Sequence, residues 1–183
     1  MRVGLLMGGV LSAPALSLLN GCQPKKKESA IEGEVFSSDQ ATLITTVCGL
    51  IIPTTNTPGA IEAGVPEFVM RSIADCYPED YIQRFKEGLN EFDKEAGNRF
   101  DGSFLELSEN EQLELLTSLE KEGKSTSEKL SVHEALHMLK ELTLVGYFTS
   151  EIGATQALQY DHVPGAYDAC MDMEPGQKTW ATS

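Results

Sequence analysis

The sequence predicts an all-α domain, a bundle of about five or six helices with long loops. Three observations carry this. Helix-start signatures of the form S/T-x-x-E/Q recur at Ser37–Gln40, Ser108–Glu111 and Ser131–Glu134. Apolar residues follow each of them at helical spacing. No segment alternates apolar and polar residues over a useful length, as a half-buried strand would.

The elements follow in order. After Ser37, the residues Leu43, Ile44, Val47, Leu50 and Ile51 share one helix face, and Pro53 stops that helix. Pro53 to Pro66 is rich in turn formers and reads as a long loop. Pro66 suits a first helical turn, with Phe68, Val69, Ser72, Ile73 and Cys76 behind it. Glu79 and Asp80 place acids at the positive end of a third helix, whose apolar face is Tyr81, Ile82, Phe85, Leu89 and Phe92. A fourth helix, Gln112 to Glu122, carries Leu113, Leu115, Leu116 and Leu119, and Lys121 to Lys129 reads as loop. A fifth carries Val132, Ala135, Leu136, Leu139, Leu142 and Val145. The polar tail from Met171 to Ser183, with Pro175-Gly176 and the single Trp180, is expected to fray.

Acidic residues number 28 against 14 basic ones, a net charge of −14. Nucleic-acid binding needs a basic stripe, so that partner class is excluded. The first residues read as a signal rather than fold: Arg2, then an apolar stretch from Val3 to Leu19, too short and too broken to span a bilayer. Leu19-Asn20-Gly21-Cys22 resembles a bacterial lipoprotein cleavage box, which implies lipidation of Cys22. The expected organisation is a signal over 1–21, a lipidated Cys22 with a lysine-rich tether over 22–36, a helical domain over 37–170 and a tail over 171–183. The expected location is the bacterial cell envelope, facing the periplasm and anchored by lipid.

Cys48 reads as a small buried residue. Cys76 closes a helix, and Cys170 is the thiol best placed for an external bond. His133-Glu134-Ala135-Leu136-His137 matches H-E-x-x-H, which on a helix sets two imidazoles on one face for zinc with glutamate as general base. No third ligand stands at a zincin spacing, and Glu134 has a capping role with Ser131, so His133 and His137 read as solvated helix residues. No phosphate-binding glycine loop, G-x-S-x-G elbow or Ser/His/Asp set is present. No catalytic or cofactor-binding residue is assigned.

The densest run of glycine, aromatic and hydroxyl residues lies between Gly146 and Cys170, where the fifth helix should end. Tyr147, Thr149, Ser150, Glu151, Tyr160, Tyr167 and Cys170 are the candidate partner-facing residues, aromatic anchors with adaptable polar neighbours. Phe148 is expected to cap the domain's own core. Gly146, Gly153 and Gly165 are expected to allow close backbone approach or positive φ.

Three segments carry a family resemblance: Ile51-Ile52-Pro53-Thr54 through to Val65-Pro66, Leu142 through Gly153, and Tyr160 with Val163-Pro164-Gly165-Ala166-Tyr167 and Cys170. Between Asp80 and Ser131 only the helical apolar pattern agrees. The chain resembles the gluconate 2-dehydrogenase subunit 3 family, small subunits of membrane-associated flavin-dependent sugar and polyol dehydrogenases. The resemblance implies a non-catalytic subunit that binds no cofactor itself. Its large partner would bind FAD and oxidise the substrate, with a cytochrome c or another electron-transfer subunit completing the complex. The small subunit would support folding, flavin loading, export or membrane attachment. The alternatives are a zinc-dependent lipoprotein hydrolase using His133, Glu134 and His137, or a stand-alone binding lipoprotein of the same fold.

Overall fold

The computed structural model describes residues 35–123, 130–163, 165, 170 and 172–181. The signal, Cys22 and the lysine tether lie outside them, as do Tyr167 and the side chain of Ser131. Among the described residues there are five α-helices and no β-strand longer than a single bridge. The all-α expectation holds.

Helix α1 is Ser38–Ile51, and both halves of the Ser37–Gln40 capping box form. Helix α2 is Val65–Cys76, with Pro66 in its first turn. Helix α3 is Glu79–Phe100 and ends at Asp101, whose φ of 59° breaks the helical path. It runs two turns past Phe92 because Ala96 and Phe100 continue the apolar stripe at i+4 and i+8. A 3-10 turn, Phe104–Glu106, follows. Helix α4 is Glu109–Gly123. At its start the Glu111 carboxylate accepts both the Ser108 amide, at 2.9 Å, and the Ser108 hydroxyl, at 2.6 Å. Helix α5 is Leu130–Thr149, and a π-helical turn, Gly153–Ala157, continues it after a bend at Ser150.

Helix α5 packs against all four other helices. Its sequence explains this, because apolar residues fall on more than one of its sides. Val132, Ala135, Leu139 and Thr143 are buried along it. The buried Thr143 hydroxyl is satisfied by the Cys48 thiol of α1 at 3.2 Å. Burial pushes that thiol up to about 11, so Cys48 is a packing group and not a nucleophile. A cap contributes about 1 kcal/mol, whereas one fully buried Leu or Phe contributes about 1.5–3 kcal/mol. Burial along α5 therefore decides the packing, and the caps only set where helices begin.

Aromatic contacts close the ends of the core. Phe36 meets Phe85 edge-on, with ring centroids 6.0 Å apart, and Phe92 meets Phe104 at 5.7 Å. Arg99 ties α3 to α4, donating to Ser118 at 2.7 Å and Glu122 at 2.9 Å. Residues expected on apolar faces, Leu113, Val145 and Phe68 among them, are exposed instead. No described helix covers Leu113 or Val145. Among the described residues, no helix is long and apolar enough to cross a membrane.

The tail does not fray over its described part. Residues 172–181 fold back on the chain after α5, through a parallel bridge between Gln159 and Trp180.

Candidate docking surface

The exit from α5 is held from below by the Pro53–Pro66 loop. Tyr147 is 2% exposed, and its hydroxyl donates to the Pro58 carbonyl at 2.7 Å. The loop is itself latched. The Glu62 carboxylate accepts the Thr54 hydroxyl at 2.7 Å and the Gly59 amide at 2.5 Å. Those two donors, the Thr54 hydroxyl first, hold Glu62 below the ordinary glutamate value of 4.5. A carboxylate lowered on folding favours the latched loop above its unfolded value and loses that effect as pH falls through the folded one. The latch is therefore expected to hold at neutral pH and to release as the pH drops below 4.5. Gly59 amide exchange followed against pH checks this, with protection lost only on the acid side. Tyr147→Phe is expected to cost about 1 kcal/mol, the net value of one hydrogen bond, and to speed Gly59 exchange at neutral pH.

Tyr147 was expected at the partner-facing surface and Phe148 in the core. The structure reverses them. Successive helical residues are about 100° apart, and the crossing of α5 over the loop puts Tyr147 inside. Phe148 is 42% exposed, with its ring edge-on to Tyr147 at 5.3 Å. Val145 is 51% exposed and Leu144 is also exposed, so the last turns of α5 present three large apolar side chains to solvent. Phe68 of α2 extends the patch across Gly146, where a Cβ would stand 2.5 Å from the Phe68 ring. Single exposed apolar residues are ordinary, but several near one helix end make a candidate interaction surface.

The polar candidates divide. Thr149 and Glu151 are exposed and Ser150 is half-buried. The hydroxyls of Thr149 and Ser150 are spent on their own backbone, donating to the carbonyls of Val145 and Tyr147. Ser150 also receives the Gly153 amide at 3.0 Å, which shapes the passage from α5 into the π turn. Close approach is required at Gly153, where a Cβ would overlap the Tyr147 carbonyl oxygen and stand 2.7 Å from its carbon. Among the described residues, none stands within 4 Å of a Cβ placed on Gly165. Tyr160 is exposed beside His162, and Cys170 is exposed.

The H-E-x-x-H residues lie on α5 as the spacing predicts: His133 and His137 line one groove, but Glu134 lies away from it, beside Arg84. The Glu134 carboxylate pairs with Arg84 of α3 at 2.6 Å. His137 is exposed, with its nearest partner Glu141 at 3.5 Å. A groove of about 400 Å³ runs between α4 and α5, floored by Leu119 and Leu136 and rimmed by the Lys140–Glu120 pair. His133 and His137 line it; His133 is half-buried rather than solvated as expected, and its buried Nδ1 has no hydrogen-bond partner among the described residues. Among the described residues, no three His, Cys, Asp or Glu side chains gather where they could hold a metal ion.

The sequence reading missed the exposed face formed by Leu144, Val145, Phe148 and Phe68. The signal was present: apolar residues at Leu144, Val145 and Phe148 exceed what one buried stripe needs.

A family model described as gluconate 2-dehydrogenase subunit 3 matches residues 38–165, more than half of the chain. No curated protein and no solved structure matches it.

Proposed function

We propose a role from one premise: the chain belongs to the gluconate 2-dehydrogenase subunit 3 family, whose match spans all five helices and the π turn. It serves as the non-catalytic small subunit of a flavin-dependent sugar or alcohol dehydrogenase complex. It docks on a large subunit that binds FAD, and it supports that subunit's folding, flavin loading, export or attachment to the membrane. Lipidated Cys22 supplies the attachment, with the domain facing the periplasm. An interchain disulfide through Cys170, which is exposed, is part of this reading.

The observation that carries this reading is the family match. The exposed face of α5 supports it, because interfaces are organised around large apolar and aromatic anchors with a polar rim. Phe148, Val145 and Phe68 provide anchors, and Thr149 and Glu151 stand at their edge.

Purification of the tagged full chain from its native membranes tests the role. A stoichiometric flavoprotein, with dehydrogenase activity in the complex and none in the separated small chain, is the expected result. Activity in the isolated chain, or purification without a flavoprotein, contradicts it.

A further inference from the structure

The C-terminal segment 172–181 lies beyond the family match, which ends at residue 165. It is nevertheless a built element. Glu174-Pro175-Gly176-Gln177 has the chemistry of a type II turn: proline second, glycine third with φ of 82°, and the Gln177 amide donating to the Glu174 carbonyl at 3.1 Å. The Gln177 side chain closes the turn a second time, accepting the Glu174 amide at 3.1 Å. From there the chain runs back to Gln159. The Gln159 amide donates to the Thr179 carbonyl at 2.8 Å, and its carbonyl accepts the Ala181 amide at 2.8 Å. The Lys178 ammonium caps the Gln156 carbonyl, which belongs to the π turn. Trp180, half-buried, sits in the bridge itself.

These contacts converge on residues 156–159, between the glycine-locked π turn and the exposed Tyr160 and Val163. Upstream, Gly153 is fixed against Tyr147. Downstream, the strap gives Gln159 its backbone partners on both sides.

We propose that residues 172–181 form a strap that holds the 153–163 segment in the shape that meets the large subunit. The strap is an element this chain carries outside the family-matched region, and partner affinity depends on it. A segment already ordered before docking loses less conformational freedom on binding. The proposal rests on the docking role above, and its test separates the two.

Gly176→Val is the main variant, because a β-branched residue at φ above zero is strongly disfavoured and the turn must open. Removal of residues 172–183 is the second. Three measurements are made on each against the wild-type chain: amide exchange at Gln159, emission of the single Trp180 where it is retained, and affinity for the flavoprotein subunit recovered from the native complex. Both variants are expected to raise Gln159 exchange by at least about tenfold, since the opening becomes local and cheap. Gly176→Val is expected to shift Trp180 emission to the red. Flavoprotein affinity is expected to fall about tenfold as the preorganisation is lost. The melting midpoint is expected to move by less than about 2 °C, because the helical core is untouched. Unchanged Gln159 exchange overturns the strap. Faster exchange with unchanged flavoprotein affinity overturns its role in docking. A wild-type chain that does not bind the flavoprotein overturns the docking role itself.

Discussion

Phe104→Ala is expected to destabilise the domain by about 3–5 kcal/mol, the range for emptying a fully buried aromatic site. Phe104 is wholly buried, although it lies in a three-residue 3-10 turn and not in a helix. Its ring fills the end of the core against Phe92. The backbone around it is separately fixed, with its amide on the Asp93 carboxylate at 2.9 Å and its carbonyl on the Gln112 side chain at 2.8 Å. Those bonds survive in the alanine variant, so the turn cannot easily collapse into the space and a cavity remains. A domain of this size loses about 2–4 °C of melting midpoint per kcal/mol, so a fall on the order of 10 °C is expected. Urea unfolding of the variant checks it. A loss below about 1 kcal/mol would mean that the turn is not part of the core.

Gly153→Ala is expected to cost about 3 kcal/mol, the upper part of the range for overfilling a packed site. The added methyl would collide with the carbonyl of Tyr147, which is backbone and cannot swing away. Tyr147 is in turn pinned by burial and by its bond to Pro58. The strain can be relieved only by unwinding the π turn or the last turn of α5. Amide protection at Ala154 and Leu158 is therefore expected to fall along with the midpoint, since both amides bond within this passage. A variant with unchanged midpoint and unchanged protection would show that the passage yields freely. Comparison with Gly176→Val separates two ways of loosening the same segment, one through the core and one through the strap.

Much of the fold was legible because its cues are local. Ser37 and Gln40 are three residues apart, and Pro53 and Pro66 act on their immediate neighbours. Phe104 was missed because a 3-10 turn is too short to show periodicity, although Ser103 and Glu106 carry the start signature and the Glu106 carboxylate does reach the Ser103 amide at 3.3 Å. The tail was misjudged for a different reason. Glu174-Pro175-Gly176-Gln177 spells a turn, but what that turn packs on lies fifteen or more residues earlier in the chain.

In the stretch after Gly146 the sequence reading had the two adjacent aromatics inverted: Tyr147 is buried and Phe148 exposed. Adjacent residues of a helix differ by about 100°, and near its end α5 carries apolar residues on more than one side, so the pattern there does not fix which of two neighbours turns inward. Tertiary packing alone decides that Tyr147 turns toward Pro58 and Phe148 toward solvent. The H-E-x-x-H spacing was equally legible and equally silent about neighbours. Arg84, fifty residues away in sequence, takes the glutamate that zinc chemistry would need.

The central claim is that the exposed end of α5 binds a large flavoprotein subunit. The double variant Val145→Glu, Phe148→Glu tests it most directly. Both side chains are already exposed, so the fold should tolerate the change within about 1 kcal/mol. Loss of two apolar anchors and burial of new charge at an interface should weaken binding by at least about a hundredfold. The measurement is the amount of flavin-bearing subunit that co-purifies with the full chain from native membranes. The wild-type chain is expected to retain it in equal stoichiometry, and the double variant to lose it with an unchanged melting midpoint. Full retention by the double variant, or no flavoprotein on the wild-type chain, would contradict the claim.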